Sequence, residues 1–257
     1  MKAEQALFAV TRLDTFKRDV QARVTSKLAS ATGFFYKSRS GSHFLVTNKH
    51  VLYNRADHSF PDRLRLHVHT DPKYFTKMRS VDLRLWSRSG EKLWRSPKDR
   101  RIDVAALKVP ERELEGCFYL YFTEGDLLDV GDEFLPGRHI DIGVHTLVLG
   151  YPHGFYDVNT FLPIARAGTV ATWPWLDFEG KPCFLIDAKL HPGMSGSPVL
   201  SSSGAIHKSS DSAAPGADAQ ESYLLGVFSD EWTYRGEPLG LNTIWHAAPS
   251  LSMLEEE

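Results

Sequence analysis

An all-β fold is the class this sequence predicts, and three observations predict it. Nineteen glycines and 14 prolines are spread along the 257 residues, and such residues punctuate strands and turns. The apolar runs between them are short. The stretch RLRLHVHT at 63–70 alternates strictly, with Leu64, Leu66 and Val68 on one face, which is the period of a half-buried strand. Helical periodicity is scarce.

The elements follow in chain order. Residues 13–29 are the one internal stretch expected to hold a helix. Gly33 to Val46 reads as a hairpin, with GFFYK and HFLV joined by the turn SRSGS. RLRLHVHT is the next strand, and VDLRLW and KLWR flank a second turn, SRSG at 87–90. IDVAALKV, HTLVLGY, AGTVATW, CFLID, SPVL, YLLGVF and LGLNTIW are further strands. PSLSMLEEE at 249–257 predicts a short C-terminal helix. A composition shift near 123–138 marks a connector between two β lobes, about 30–122 and 139–257, within one functional unit. Residues 201–222, rich in Ser, Ala, Gly and Asp, are expected to form an exposed, mobile loop between two strands.

Composition narrows the function classes. A hydrophobic content of 42% and a charged content of 24% belong to an ordinary globular protein. A net charge of −2 supplies no basic patch for nucleic acid. No apolar run is long enough to span a bilayer, and the N-terminus lacks the pattern of a signal peptide. Two cysteines, Cys117 and Cys183, sit among apolar neighbours and read as buried thiols. Together these features give the expectation of a cytoplasmic protein without disulfides. His67 and His69 share one strand face at a spacing some metal sites use. No convincing set of ligands completes them, so no metal is expected and they read as exposed strand residues. The tryptophans, among them Trp86, Trp94, Trp173 and Trp175, read as core and loop packing.

Three segments carry chemistry. The first is HPGMSGSPV at 191–199. A nucleophilic serine needs a tight turn with backbone N–H groups converging near its hydroxyl, and Gly193 and Gly196 permit one around Ser195. The N–H groups of Gly193 and Ser195 would then form an oxyanion hole. The second is TNKHV at 47–51, where His50 ends an apolar strand. Imidazole is the base a serine hydroxyl requires at neutral pH. The third is IDVAAL at 102–107, where Asp103 opens an apolar strand. Its bland reading is a strand-capping carboxylate; its functional one is to orient His50 and stabilise the imidazolium. The chain order is His, Asp, Ser, and the G-x-S-x-G elbow of the α/β-hydrolases is absent, because Ser197 holds the last glycine's place.

As a set these motifs resemble the trypsin-like serine peptidases of the chymotrypsin fold, closest to the bacterial Deg-type and glutamyl-endopeptidase branches. FLVTNKHV is similar to their base-bearing strand, IDVAALKV to the aspartate strand, and IDAKLHPGMSGSPVL to the nucleophile strand and turn. LVLGYPHG and RAGTVATW resemble the opening strands of a second barrel, LLGVFSDE the strand that pairs with substrate, and LGLNTIWHAAPSL the closing strand and helix. The resemblance runs from about residue 31 to the C-terminus. It implies two antiparallel six-stranded barrels with the site in the cleft between them, and a C-terminal helix packed on the barrel. His50 and Asp103 would come from the first barrel and Ser195 from the second.

The resemblance further implies a serine endopeptidase acting through an acyl-enzyme on protein or peptide substrates, with no cofactor. Ser197 matches the glutamyl-endopeptidase branch. Met194 stands where digestive trypsins carry the aspartate that receives a new N-terminus, which argues against zymogen activation of that kind. Ser229 would support Asp103 and the substrate-binding backbone. Lys189, six residues before the nucleophile, would favour an acidic residue at P1, the position on the acyl side of the scissile bond. Asp230 and Glu231 would neutralise it or attract a basic one, and His191 would reach the same pocket. The sequence leaves that choice open. A competing expectation is a latent or inactive protease-like binding module that needs a separate regulatory or targeting protein.

Overall fold

The computed structural model describes residues 1–19, 24–53, 60–128, 140–202 and 222–255. Most of the loop expected at 201–222, and part of the expected connector at 123–138, lie outside the described residues.

The first lobe is a seven-stranded antiparallel sheet. Its strands are β1 (Val10–Asp19), β2 (Val24–Lys37), β3 (His43–Thr47), β4 (Arg63–His69), β5 (Met78–Arg84), β6 (Trp94–Arg95) and β7 (Ala105–Lys108), in the spatial order β5-β4-β1-β2-β3-β7-β6. The expected helix over 13–29 is not seen among the described residues of that stretch, which belong to β1 and β2. The physical reason lies in Thr11, Thr15, Thr25 and Thr32, β-branched residues that lose little by extending and pack well on a pleated surface. Leu13 is fully buried on one side of β1. The expected hairpin is present as β2 and β3, with Phe34 opposite Val46 and Lys37 opposite His43. The sheet has seven strands where six were expected; the extra one is β1, since β6 falls within the expected strand KLWR. It is not a closed ladder, but the hairpin between β5 and β6 brings its two edges together, with Leu93 N–H donating to the Leu85 carbonyl at 3.0 Å.

The second lobe is a closed barrel in the order β10-β13-β12-β11-β8-β9. Its strands are β8 (His145–Gly150), β9 (Ile164–Val170), β10 (Cys183–Asp187), β11 (Pro198–Ser201), β12 (Leu224–Tyr234) and β13 (Glu237–His246). Closure leaves no unpaired edge. The C-terminal helix forms at Ala247–Leu251 and continues as a 3₁₀ turn over Ser252–Leu254. Ala247, Leu251 and Leu254 are fully buried in the cluster that joins the two lobes.

Each lobe has its own apolar core, and a third cluster joins them. Leu13, Phe35, Leu45 and Leu66 fill the first lobe; Val148, Phe184, Ile186 and Ile244 fill the second. Phe34, Val46, Leu149, Tyr151, Val227 and Trp245 pack together across the junction. A hollow lined by residues of both lobes, His50 and Asp103 from the first and Leu190 and Phe228 from the second, opens beside this junction.

Cys183 is buried, Cys117 is half-buried, and neither is in a disulfide. His67 and His69 are not the exposed residues the strand pattern led us to expect. His67 lies 3.2 Å from the Asp14 carboxylate, and buried His69 reaches the Thr160 carbonyl at 2.7 Å. No helix among the described residues is long and apolar enough to cross a membrane.

Candidate active site

Register in the first lobe brings His50 to Asp103. β3 pairs with β7 so that Thr47 lies opposite Ala105. The chain leaves β3 into the single helical turn Lys49–Leu52, while Asp103 stands two residues before β7. The turn is tied down by Asn48, whose Nδ2 donates to the Asp103 backbone carbonyl at 2.7 Å. The Asp103 carboxylate then meets three groups. His50 N–H donates to Oδ1 at 3.1 Å, His50 Nδ1 lies 2.5 Å from Oδ2, and the Ser229 hydroxyl donates to Oδ2 at 2.9 Å. A carboxylate so placed holds Nδ1 as the protonated nitrogen and leaves Nε2 as the basic one. Ser229 belongs to β12, so the second lobe also braces the pair.

The turn carrying Ser195 is fixed by the hydrogen bonds of its carbonyl groups. The Pro192 carbonyl accepts from His153 N–H at 2.6 Å, and the Met194 carbonyl accepts from Ser197 N–H at 2.9 Å. Because a peptide is planar and trans, each bond turns the following N–H, of Gly193 and of Ser195, to the opposite side. Among the described residues neither of these amides donates to an internal acceptor. Met194 N–H, between them, is occupied by the His191 carbonyl at 3.1 Å. Both amides are therefore left without an internal acceptor among the described residues. The Ser195 hydroxyl donates to the Ser229 carbonyl at 3.2 Å.

Gly193 and Gly196 have φ of 94° and 88°, in the left-handed region that favours glycine. Space forbids a side chain as firmly as conformation does. A Cβ on Gly196 would fall 2.2 Å from the Thr32 carbonyl oxygen. Ser197, the departure from a glycine, fits because Gly150 faces it: a Cβ on Gly150 would lie 2.1 Å from Ser197 Oγ. Met194 is fully buried in the second-lobe core, an apolar anchor where digestive trypsins carry a charge.

Sequence reasoning missed Thr32. This residue of β2 is fully buried and ties the first lobe to the Ser195 turn at two points. Its hydroxyl donates to the Gly193 carbonyl at 2.9 Å and its N–H to the Ser195 carbonyl at 3.0 Å. The same hydroxyl accepts from Tyr151 N–H at 3.1 Å. His153, also missed, stands at φ 52° with its ring 5.2 Å from that of His191. A non-glycine residue held in that region marks a place where the surroundings enforce the geometry.

His50, Asp103 and Ser195 open onto one hollow of about 520 Å³. Leu190, His191, Phe228, Ser229, Asp230 and Glu231 also line it, with Asn242 and Trp245 behind them. Lys189 is not in the lining. Its side chain is exposed and its carbonyl accepts from Arg166 Nη2 at 2.7 Å. The strand from β10 turns there, so Lys189 and Leu190 face opposite ways and Leu190 takes the inner position. Desolvation lowers the pKa of His191 below the usual histidine range, and neighbouring His153, Arg166 and Lys189 lower it further. Among the described residues no cluster of His, Cys, Asp and Glu has the arrangement of a metal site.

The fold and this geometry define a two-lobed β protein with a serine turn facing a histidine–aspartate pair. Residues 31–206 match the trypsin-like peptidase domain family, and the chain belongs to that family of serine peptidases. No curated protein matches the chain.

Proposed function

We propose that the protein is an active serine endopeptidase that cleaves through an acyl-enzyme, with Ser195 as nucleophile, His50 as general base and Asp103 as its positioning carboxylate. The observation that carries this reading is the 2.5 Å contact between His50 Nδ1 and Asp103 Oδ2, in a hollow that also contains Ser195. His50 Nε2 takes the proton as Ser195 Oγ attacks the scissile carbonyl. The oxyanion that forms accepts from the amides of Gly193 and Ser195. His50 returns the proton to the leaving amine, and water, deprotonated by His50 in turn, hydrolyses the ester. Asp103 stays ionised throughout and stabilises the imidazolium. The first lobe acts as the companion barrel of the closed second one. Each oxyanion donor contributes about 3 kcal/mol to the transition state, from a typical loss of 10²–10³ in rate on removal.

The test is labelling with a fluorophosphonate probe, alongside cleavage of an unfolded protein substrate. Wild-type protein becomes labelled at Ser195 and cleaves; Ser195→Ala does neither. Wild-type protein that remains unlabelled across pH 6–9 would rule out an activated serine.

A further inference from the structure

The hollow beside Ser195 has two walls of unequal chemistry. Leu190, Phe228 and Trp245 make it apolar, and all three are more than nine-tenths buried. Apart from the indole N–H of Trp245, the unpaired polar groups on the β12–β13 wall are acceptors. Asn242 is 1% exposed, and its Nδ2 donates to the carbonyls of Ala188 at 2.7 Å and Gly240 at 3.0 Å. Those two carbonyls fix the amide's orientation, because a flipped amide would set oxygen against oxygen. Asn242 Oδ1 is therefore left buried without a donor, and a buried acceptor in that state calls for a partner.

Glu231 adds a carboxylate to the same wall. Its Oε1 accepts from Gly240 N–H at 3.0 Å. Asn242 and Glu231 are thus fastened to the carbonyl and the amide of one residue, so their remaining oxygens share one stretch of wall. Asp230 lies beside them; Arg101 and Lys181 share the adjoining hollow with both carboxylates, but no ion pair to either is formed among the described residues. Apart from the His50–Asp103 pair, the other titratable group in the lining is His191, whose pKa is lowered by desolvation and by its cationic neighbours. Lys189, the cation that could have reversed the charge, faces solvent.

An acidic side chain entering this hollow would meet carboxylates and an orphaned acceptor. A purely apolar one would leave that acceptor unpaired. A long aliphatic stem ending in a cation satisfies both walls, because the stem covers apolar surface and its head donates several hydrogen bonds. We propose that this hollow selects lysine or arginine at P1, with Glu231 and Asn242 as the specificity residues. This rests on the peptidase reading of the site and adds its substrate class.

The test uses three isosteric probes, benzamidine, benzamide and benzoate, titrated calorimetrically into the Ser195→Ala protein. Benzamidine is expected to bind at least about tenfold more tightly than benzamide, with benzoate weakest, because only the cation pairs with the Glu231 carboxylate. Glu231→Gln, a change at an exposed position, is expected to erase the preference for benzamidine over benzamide. Equal binding of the three, tighter binding of benzoate, or a preference that survives Glu231→Gln would overturn the assignment. Binding needs no turnover, so the two readings fail separately. A labelled protein with no cation preference removes only the P1 assignment. A cation preference in a protein that fluorophosphonate never labels removes only the mechanism.

Discussion

His50 and Asp103 flank two paired strands of one sheet, whereas Ser195 stands on a turn fastened to the opposite lobe. The first pair is set by ladder register between β3 and β7 and by local bonds from Asn48 and the His50 amide. The serine turn depends on Thr32, 161 residues away in sequence, for the orientation of the Gly193 carbonyl. Neither half is wholly independent, since Ser229 of the second lobe donates to Asp103. The difference teaches that docking the lobes does more than bring residues together: it also sets the shape of the serine turn.

Substitutions test that contrast, taken here from the largest expected effect to the smallest. Asp103→Asn keeps the shape of the ladder-set half but reverses which imidazole nitrogen carries the proton. A fall of about 10⁴ in kcat is expected, as in comparable triads, with the thermal midpoint little changed. Gly196→Ala strikes where the lobes touch. The added Cβ would lie 2.2 Å from the Thr32 carbonyl, at a positive φ. We expect a loss of about 3 kcal/mol or more in unfolding free energy, measured by denaturant melts, together with loss of labelling.

Acid should act on the barrel that carries the serine turn. His246 is buried against Phe184, and burial brings its pKa from 6.5 to about 4. The unfolded chain takes up that proton first, so stability is present above pH 6.5 and is lost as pH falls toward 4. Burial lowers His43 and His69 of the first lobe in the same direction. His246→Gln is expected to remove about 3 kcal/mol of the loss between pH 7 and pH 4, seen as a flatter plot of unfolding free energy against pH. Thr32→Val is the finest probe. It keeps the shape and removes the hydroxyl that holds Gly193. We expect kcat to fall about 10- to 100-fold with KM nearly unchanged, for about 1–2 kcal/mol of stability. Thr32→Ser should restore kcat; a Val variant with normal kcat would show that the turn stands without the first lobe.

What the sequence reveals follows the same division. The strands around His50, Asp103 and Ser195 were legible because alternation and glycine turns are local signals. The role of Thr32 was not, since nothing adjacent to it in the chain hints at a bond to Gly193. Asn242 escaped for the same reason: its importance lies in an oxygen left unpaired by a fold that gathers Ala188 and Gly240 around its nitrogen. Lys189 misled through position alone, because counting back from the nucleophile does not say which way a side chain faces. The helix expected over 13–29 failed where charged residues gave no clear alternation, and the β-branched threonines decided the outcome.

The rate of fluorophosphonate labelling at Ser195, compared between wild type and His50→Ala at pH 8, tests the proposed activation most directly. If His50 is the base, the variant reacts at least about 10³-fold more slowly while retaining its fold by circular dichroism. Equal rates in the two proteins would contradict it and leave Ser195 without its base.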